Sequence, residues 1–572
     1  MRPAEIFAVE RAGTGMSRAL SGRLPVRRER HMLAAAGAGL IALAVALPIV
    51  SLGVLAFGGT GEDWPHLARN VVPQATITTL HLLLLIAAAT ASIGVTSAWL
   101  IVAYDFPLRR LLAWAIVLPL AVPTYLAAYA FVEFFHFTGP LQSLLRGLFG
   151  WNSPRDYWFP DIRSTTGAAI ILSAVLYPYV YLTTRVVFLM QGRNISDVAR
   201  TLGAPPFTVF RRVLLPVARP AIMAGVALVL MEAINDIGAA EYLGVRTLTL
   251  SVYSTWLNRG SLEGAAQIAL VMMVLITALI AMEQYARRSQ RIHNHRGSQV
   301  NARPPRRRLR GLAGLAAMSA VAAPVLFGFG IPLFVFLGYA LRRLEQFSDP
   351  ALARAFFTTL ITATTTAFLT VMAALLLINA LRLVRTRRMA ATVRFASLGY
   401  ALPGTLVGLG LLLALARFDN FVSGLAVDLF SVRTGLLLTG SLAAVVLGCS
   451  IRFVALAEGA IRSGLEKLPP HLDEAARSLG LSPMKSALRV MLPLLGPALA
   501  TAAILVFVDT AKELSATIVL RPFGFSTLAT HVYEQASRGV VEDGAIAALL
   551  IIATALLPVA LLSRTLMRDR AE

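Results

Sequence analysis

One segment of this chain occurs twice, at a fixed separation of 277 residues (474 − 197). The first copy runs from Asp197 through Ala199 and Gly203 to Pro216. In the second, Glu474 falls on Asp197, Ala476 on Ala199, Gly480 on Gly203 and Pro493 on Pro216, with Ala475 beside Glu474. Other fragments recur as well: Thr78-Thr79-Leu80 as Thr358-Thr359-Leu360, and Ala121-Val122-Pro123 as Ala401-Leu402-Pro403. A chain that repeats itself over half its length folds as two like halves, so any architecture without that internal symmetry is set aside.

Composition supplies the solvent. Of 572 residues 57% are hydrophobic and 14% charged, where a soluble chain carries about 25% charge. Apolar runs of about 20 residues are long enough to cross a bilayer as helices, and the alternating strands of a barrel are missing. The expected fold is an all-α polytopic membrane protein of about twelve spans in two six-helix halves. The first six are predicted near 33–56, 76–104, 111–135, 166–189, 221–244 and 265–282. The second six fall near 312–340, 356–381, 391–415, 433–457, 498–520 and 544–566. Six spans return the chain to the side it started from, so the repeats are parallel, related by an axis along the membrane normal.

The net charge of +22 is a topology signal rather than a sign of nucleic acid. Arginines gather in alternate loops: Arg23 to Arg30, Arg109-Arg110, Arg303 to Arg310, and Arg385 to Arg388. The intervening loops carry acids and aromatics, such as Trp151 to Asp161. That pattern puts both termini and both copies of the repeated loop in the cytoplasm. The expected division is a basic cytosolic N-terminus (1–31), a first membrane anchor retained rather than cleaved (32–57), two membrane domains (75–282 and 355–564) and a basic cytosolic linker (283–311).

The repeated loop reads as mechanical. Ala199, Ala475 and Ala476 form helix without bulk, so another surface can approach the backbone. Gly203 and Gly480 suit the left-handed position that ends a helix. Ser482-Pro483 starts the next helix, and Pro216 and Pro493 are read as its stop before the chain re-enters the membrane. Directly beyond lie ionisable residues within predicted spans: Glu232 and Asp236, then Asp509, Lys512 and Glu513. Glu232 matches Asp509 and Asp236 matches Glu513 at the loop's own offset, each pair spaced i, i+4 on one predicted helix face. Intramembrane charge faces a partner or a water-filled cavity. Two readings stand: pairing with arginines from neighbouring helices, or an electronegative path for a cation. Pro119, Pro123 and Pro403 are candidate bends near such a path or ordinary kinks. Cys449 reads as a small buried hydrophobe, and the histidines show no ligand spacing, so no metal site is assigned.

The run Glu474-Ala475-Ala476, Gly480, Leu492-Pro493 is similar to the EAA loop of type I ABC importer permeases, whose fold is called MetI-like. The resemblance covers about 75–282 and 355–564. It implies that each loop docks into a separate cytosolic ATPase, two copies in all, that ATP and magnesium are bound there and no cofactor by this chain, and that a periplasmic binding protein delivers the substrate. The first copy departs from the pattern, with Asp197-Val198 in place of Glu-Ala, so the two contacts are expected to be unequal. The chain's lysines, Lys467, Lys485 and Lys512, never follow glycine, so a phosphate-binding loop cannot form and the chain is not its own ATPase. The stretches Asp509 to Thr530 and Leu230 to Gly244 look like ferric-iron permeases, which implies import of Fe³⁺ across a bacterial inner membrane. Ser515 stands where that group is expected to carry proline. Thiamine permeases, also fused, are the competing substrate class, and an ion-coupled secondary transporter is the competing mechanism.

Overall fold

The computed structural model describes residues 26–59, 61–191, 205–288, 306–384, 386–469 and 471–568. Asp197, Ala199 and Gly203 lie outside them. Among the described residues ten helices are long and apolar enough to cross a membrane, and twelve when each of two bent pairs counts as one span. Their outward faces carry large apolar side chains such as Leu84, Val274, Phe357 and Phe368, which suits hydrocarbon as the surrounding medium.

Each half is built on the same triangle of helices. In the first, Val72–Ala103, Thr165–Gln191 and Leu215–Asn235 pack together; in the second, Pro350–Leu383, Leu442–Glu466 and Gly496–Ala511 do. The repeated threonines explain one joint of this frame. Thr79 Oγ1 accepts the backbone N–H of Leu248 at 2.9 Å, and Thr359 Oγ1 accepts that of Leu528 at 2.8 Å. Both therefore satisfy an otherwise unpaired donor at the start of a short helix, Leu248–Leu257 or Leu528–Ser537. Thr247 and Thr527 add side-chain caps at the same two ends.

The halves exchange their first helices. Val26–Gly58 keeps a contact with Leu262–Arg288 of its own half and otherwise packs on Pro350–Leu383, Arg387–Ala396 and Gly404–Phe430 of the other. Contact is closest at Gly410, where a Cβ would stand 2.3 Å from the Pro48 carbonyl oxygen, so only glycine fits there. Reciprocally, Ile331–Arg342 packs on Thr124–Phe135 of the first half, and Tyr339 donates to Glu133 at 2.8 Å. The end of the linker is tied down too: Arg307–Arg308 pairs as a parallel strand with Tyr104–Asp105.

Several predicted elements are placed differently. The span expected at 111–135 is broken, bending by 98° between Ala121 and Thr124. That expected at 391–415 breaks at the matching Leu402-Pro403, and Gly404–Phe430 is the crossing helix. Pro123 and Pro403 have nearly the same backbone angles, φ −56° with ψ 143° and 141°. They are true bends, since proline cannot donate to the preceding turn. The helix expected at 433–457 is Leu442–Glu466. The spans expected at 221–244 and 498–520 end early, at Asn235 and Ala511.

Neither Pro216 nor Pro493 stops a helix. A π turn precedes each by two residues, Phe210–Leu214 and Ala487–Met491, as Leu67–Val71 precedes Pro73 and Leu326–Gly330 precedes Pro332. The wider turn shifts the carbonyls that proline cannot serve onto the next donors, so the helix passes through. In the first half it continues unbroken to Asn235. In the second it bends by 65° at Leu495.

Candidate functional site

Four chain breaks meet at the centre: the bends at Pro123 and Pro403, and the interruptions at Asp236 and at Lys512 to Leu514. Around them lies a cavity of about 90 Å³, and Glu232, Asp236, Asp509, Lys512 and Glu513 all line it. The sequence-matched acids are thus brought together, though not on two continuous helix faces. Asp236 and Glu513 sit in the breaks themselves, because each caps the short helix that follows. Asp236 Oδ1 accepts from Ala239 N at 2.9 Å and Glu513 Oε1 from Ala516 N at 2.8 Å, the same contact at the same offset.

The remaining oxygens divide by half. Glu513 Oε2 forms a buried ion pair with Arg452 of Leu442–Glu466, and Lys512 Nζ pairs with Asp509 at 2.8 Å. Glu232 receives the Tyr400 phenol at 2.7 Å. Asp236 is 8% exposed, and its Oδ2 has no hydrogen-bond partner. The pairing reading therefore describes the second half, while Glu232 and Asp236 form no ion pair among the described residues. The cause lies in two positions: at the 277-residue offset Arg452 falls on Val175 and Lys512 on Asn235. Asn235 instead joins the halves. Its Oδ1 accepts from Gly404 N at 2.6 Å, and its carbonyl accepts from Ser515 Oγ at 2.8 Å.

Arg452, Tyr400, Asn235 and Tyr125 escaped the reading of the sequence. Arg452 carried a signal, as a lone arginine in an apolar run; the tyrosines did not, since buried aromatics in a span resemble core.

The second copy of the repeated loop forms the expected pair of short helices. Leu472–Ser478 ends at Gly480, whose φ of +84° requires glycine, with Leu481 N returning to Ala476 O at 3.2 Å. Ser482 then starts Pro483–Ser486. Ala475 is exposed beside Leu479, 84% exposed, whereas Ala476 is packed inside the turn. Approach to the backbone is open at Ala475 and closed at Ala476. The described part of the first copy differs: Phe210 stacks on Trp99 with ring centroids 4.4 Å apart, where the second copy has Ala487.

On the opposite face, Phe149, Trp151 and Tyr157 stack in sequence, and Trp158 stands 86% exposed. The N–H groups of Asn152 and Ser153 hold the Asp156 carboxyl below the usual carboxylate range. The second aromatic segment, Val252 to Leu257, is largely buried and offers little surface.

Comparison with known proteins agrees with this duplicated frame. The model of a family described as "Binding-protein-dependent transport system inner membrane component" matches residues 90–292 and again 377–569, together more than half the chain. The Haemophilus influenzae "Fe(3+)-transport system permease protein FbpB 2" is 22% identical over 503 residues, covering 87% of this chain and 91% of that protein. The "Putative 2-aminoethylphosphonate transport system permease protein PhnU" of Salmonella choleraesuis is 28% identical, over 40% of this chain and 82% of its own length. The Escherichia coli "Sulfate transport system permease protein CysW" is 27% identical, over 47% of this chain and 95% of its own length. Near-complete relatives that span less than half of this chain are what a fused pair of permease halves produces. With its two matched regions and duplicated helical frame, the chain belongs to the binding-protein-dependent transport system inner membrane components: a multi-pass permease of an ABC importer rather than the ATPase that drives it.

Proposed function

We propose that this permease moves ferric iron, delivered by a periplasmic binding protein, through the central cavity. The observation that carries the reading is the surplus of acid there: four carboxylates line the cavity against two cations, Lys512 and Arg452. Hard carboxylate oxygens suit a trivalent cation. The relative matched over most of the chain is a permease for Fe³⁺ by name. Thiamine, the competing substrate class, is left as an outcome of the test below. The oxyanions named for other relatives would need free cations, and here both are held by acids.

In this reading Glu232, Asp236, Asp509, Lys512 and Glu513 line the path, and the membrane domains run over 75–282 and 355–564. Two cytosolic ATPases grip the repeated loops, one at Asp197, Ala199 and Gly203 and the other at Glu474, Ala475 and Gly480. Both termini and the linker 283–311 face the same cytosol. The stacked loop from Phe149 to Phe159 receives the binding protein. The test is uptake of radioactive iron by proteoliposomes holding the full transporter and its binding protein. Uptake that depends on ATP and falls at least about tenfold in Glu232→Gln supports the reading; ATP-dependent uptake of thiamine or sulfate with none of iron refutes it.

A further inference from the structure

The cavity is lopsided in a way that assigns its cargo to one side. Asp509 and Glu513 are each neutralised by a cation of their own half, Lys512 and Arg452. Among the described residues Glu232 and Asp236 form no ion pair, although Arg452 and Lys512 line the same cavity, and Asp236, more than nine-tenths buried, has no hydrogen-bond partner at Oδ2. A second oxygen shares that condition. Tyr125 is 4% exposed, lines the same cavity, and its hydroxyl has no hydrogen-bond partner. Buried polar atoms are usually paired; in this cavity three lack a partner among the described residues, the donor Arg452 Nε and the two oxygens of Tyr125 and Asp236, and those oxygens are the ones a cation could use.

We propose that Glu232, Asp236 and Tyr125 form a one-sided subsite for a bare or partly hydrated hard cation in transit, and that Lys512 and Arg452 are fixed counter-ions that keep the second half's acids out of it. The proposal rests on the cation-import reading and gives it a location. Its donors are two carboxylates and a phenol, all hard oxygens. Among the described residues no three His, Cys, Asp or Glu side chains are grouped to hold a metal ion, so the subsite offers two carboxylates and a phenol and not a full ligand set. The backbone sets its geometry: Ala239 N fixes one oxygen of Asp236 and leaves the other free. Tyr125 follows directly on the bend at Pro123. From Tyr125 the rings of Tyr129 and Tyr242 lead on, with centroids 5.9 and 4.6 Å apart, toward Glu133, which receives the phenols of Tyr242 and Tyr339.

Terbium(III) is a hard trivalent probe whose luminescence is sensitised by a nearby tyrosine. Titrated into the full transporter in detergent, it should bind saturably, with affinity lowered at least about tenfold in Glu232→Gln and in Asp236→Asn. Tyr125→Phe should dim the sensitised emission of bound terbium. Lys512→Met should tighten binding, because it frees Asp509; this variant keeps the test open if an acid variant fails to assemble with the ATPase. No saturable binding by the parent chain, or an affinity unchanged from the parent's in both acid variants, overturns the subsite. Iron uptake by the parent protein, measured in parallel, separates the two readings. Uptake with terbium affinities unchanged from the parent's in the acid variants rejects the subsite alone. Absent uptake with terbium binding lost in those variants rejects iron alone.

Discussion

Replacing Arg452 would leave Glu513 charged and buried with nothing opposite it. The pair is 4% and 7% exposed, deep enough that breaking it by removing one partner costs about 3–5 kcal/mol. Arg452→Met is therefore expected to lower the thermal unfolding temperature of the detergent-purified chain markedly, and the double variant Arg452→Met/Glu513→Gln to recover most of the loss. Equal losses in single and double variants would show that the pair contributes little. At this scale the sequence was informative about acids and silent about their partners. Glu232, Asp236, Asp509 and Glu513 stood out because charge in an apolar run is costly and because they recur at one offset. Tyr400, which supplies the hydrogen bond to Glu232, lies 168 residues away, and no periodicity reaches that far. Thr79 and Thr359 recur visibly, yet their task depends on backbone groups 169 residues distant.

At the scale of elements, the apolar runs gave the spans and concealed their breaks. Hydrophobicity resumes directly beyond Asn235-Asp236 and beyond Lys512-Glu513 because the short helices there are buried as well. A helix through those residues and a broken one therefore read alike in sequence. The prolines misled in the opposite sense, since π turns carry the chain past Pro216 and Pro493. The hairpin from Leu472 to Ser486 was legible almost to the residue, because its signals are local: alanines, Gly480, then Ser482-Pro483. Its burial was not, and it separates two variants that look alike on paper. Ala475→Asp is expected to leave the hairpin folded while cutting co-purification of the ATPase at least about tenfold. Ala476→Asp is expected to unfold the hairpin and expose it to protease. Full ATPase recovery with Ala475→Asp would remove this face from the contact.

The whole molecule is held by an exchange as much as by a seam. The linker between the halves is not what keeps them together, since each has its first helix seated on the other. A protease site placed within 289–305 and cut after purification should leave two fragments that still migrate together. Adding Gly410→Leu, which drives a side chain into the Pro48 carbonyl, should let them separate on a sizing column. Fragments that part without that substitution would mean the linker carries the assembly. The duplication itself was plain from the sequence; the exchange was not, because nothing in one apolar helix says which neighbour it will choose.

That exchange also sets a timetable for synthesis. Val26–Gly58 is made well before all of its companions are, since its seat on Gly404–Phe430 begins 346 residues later (404 − 58). At about 5–20 residues per second the leading helix waits roughly 20 to 70 seconds in lipid without its companion. A nascent chain interrupted in the second half is left holding a helix with only its first-half contact, on Leu262–Arg288. Seating of Val26–Gly58 on Gly404–Phe430 thus reports that the far half of the chain has arrived.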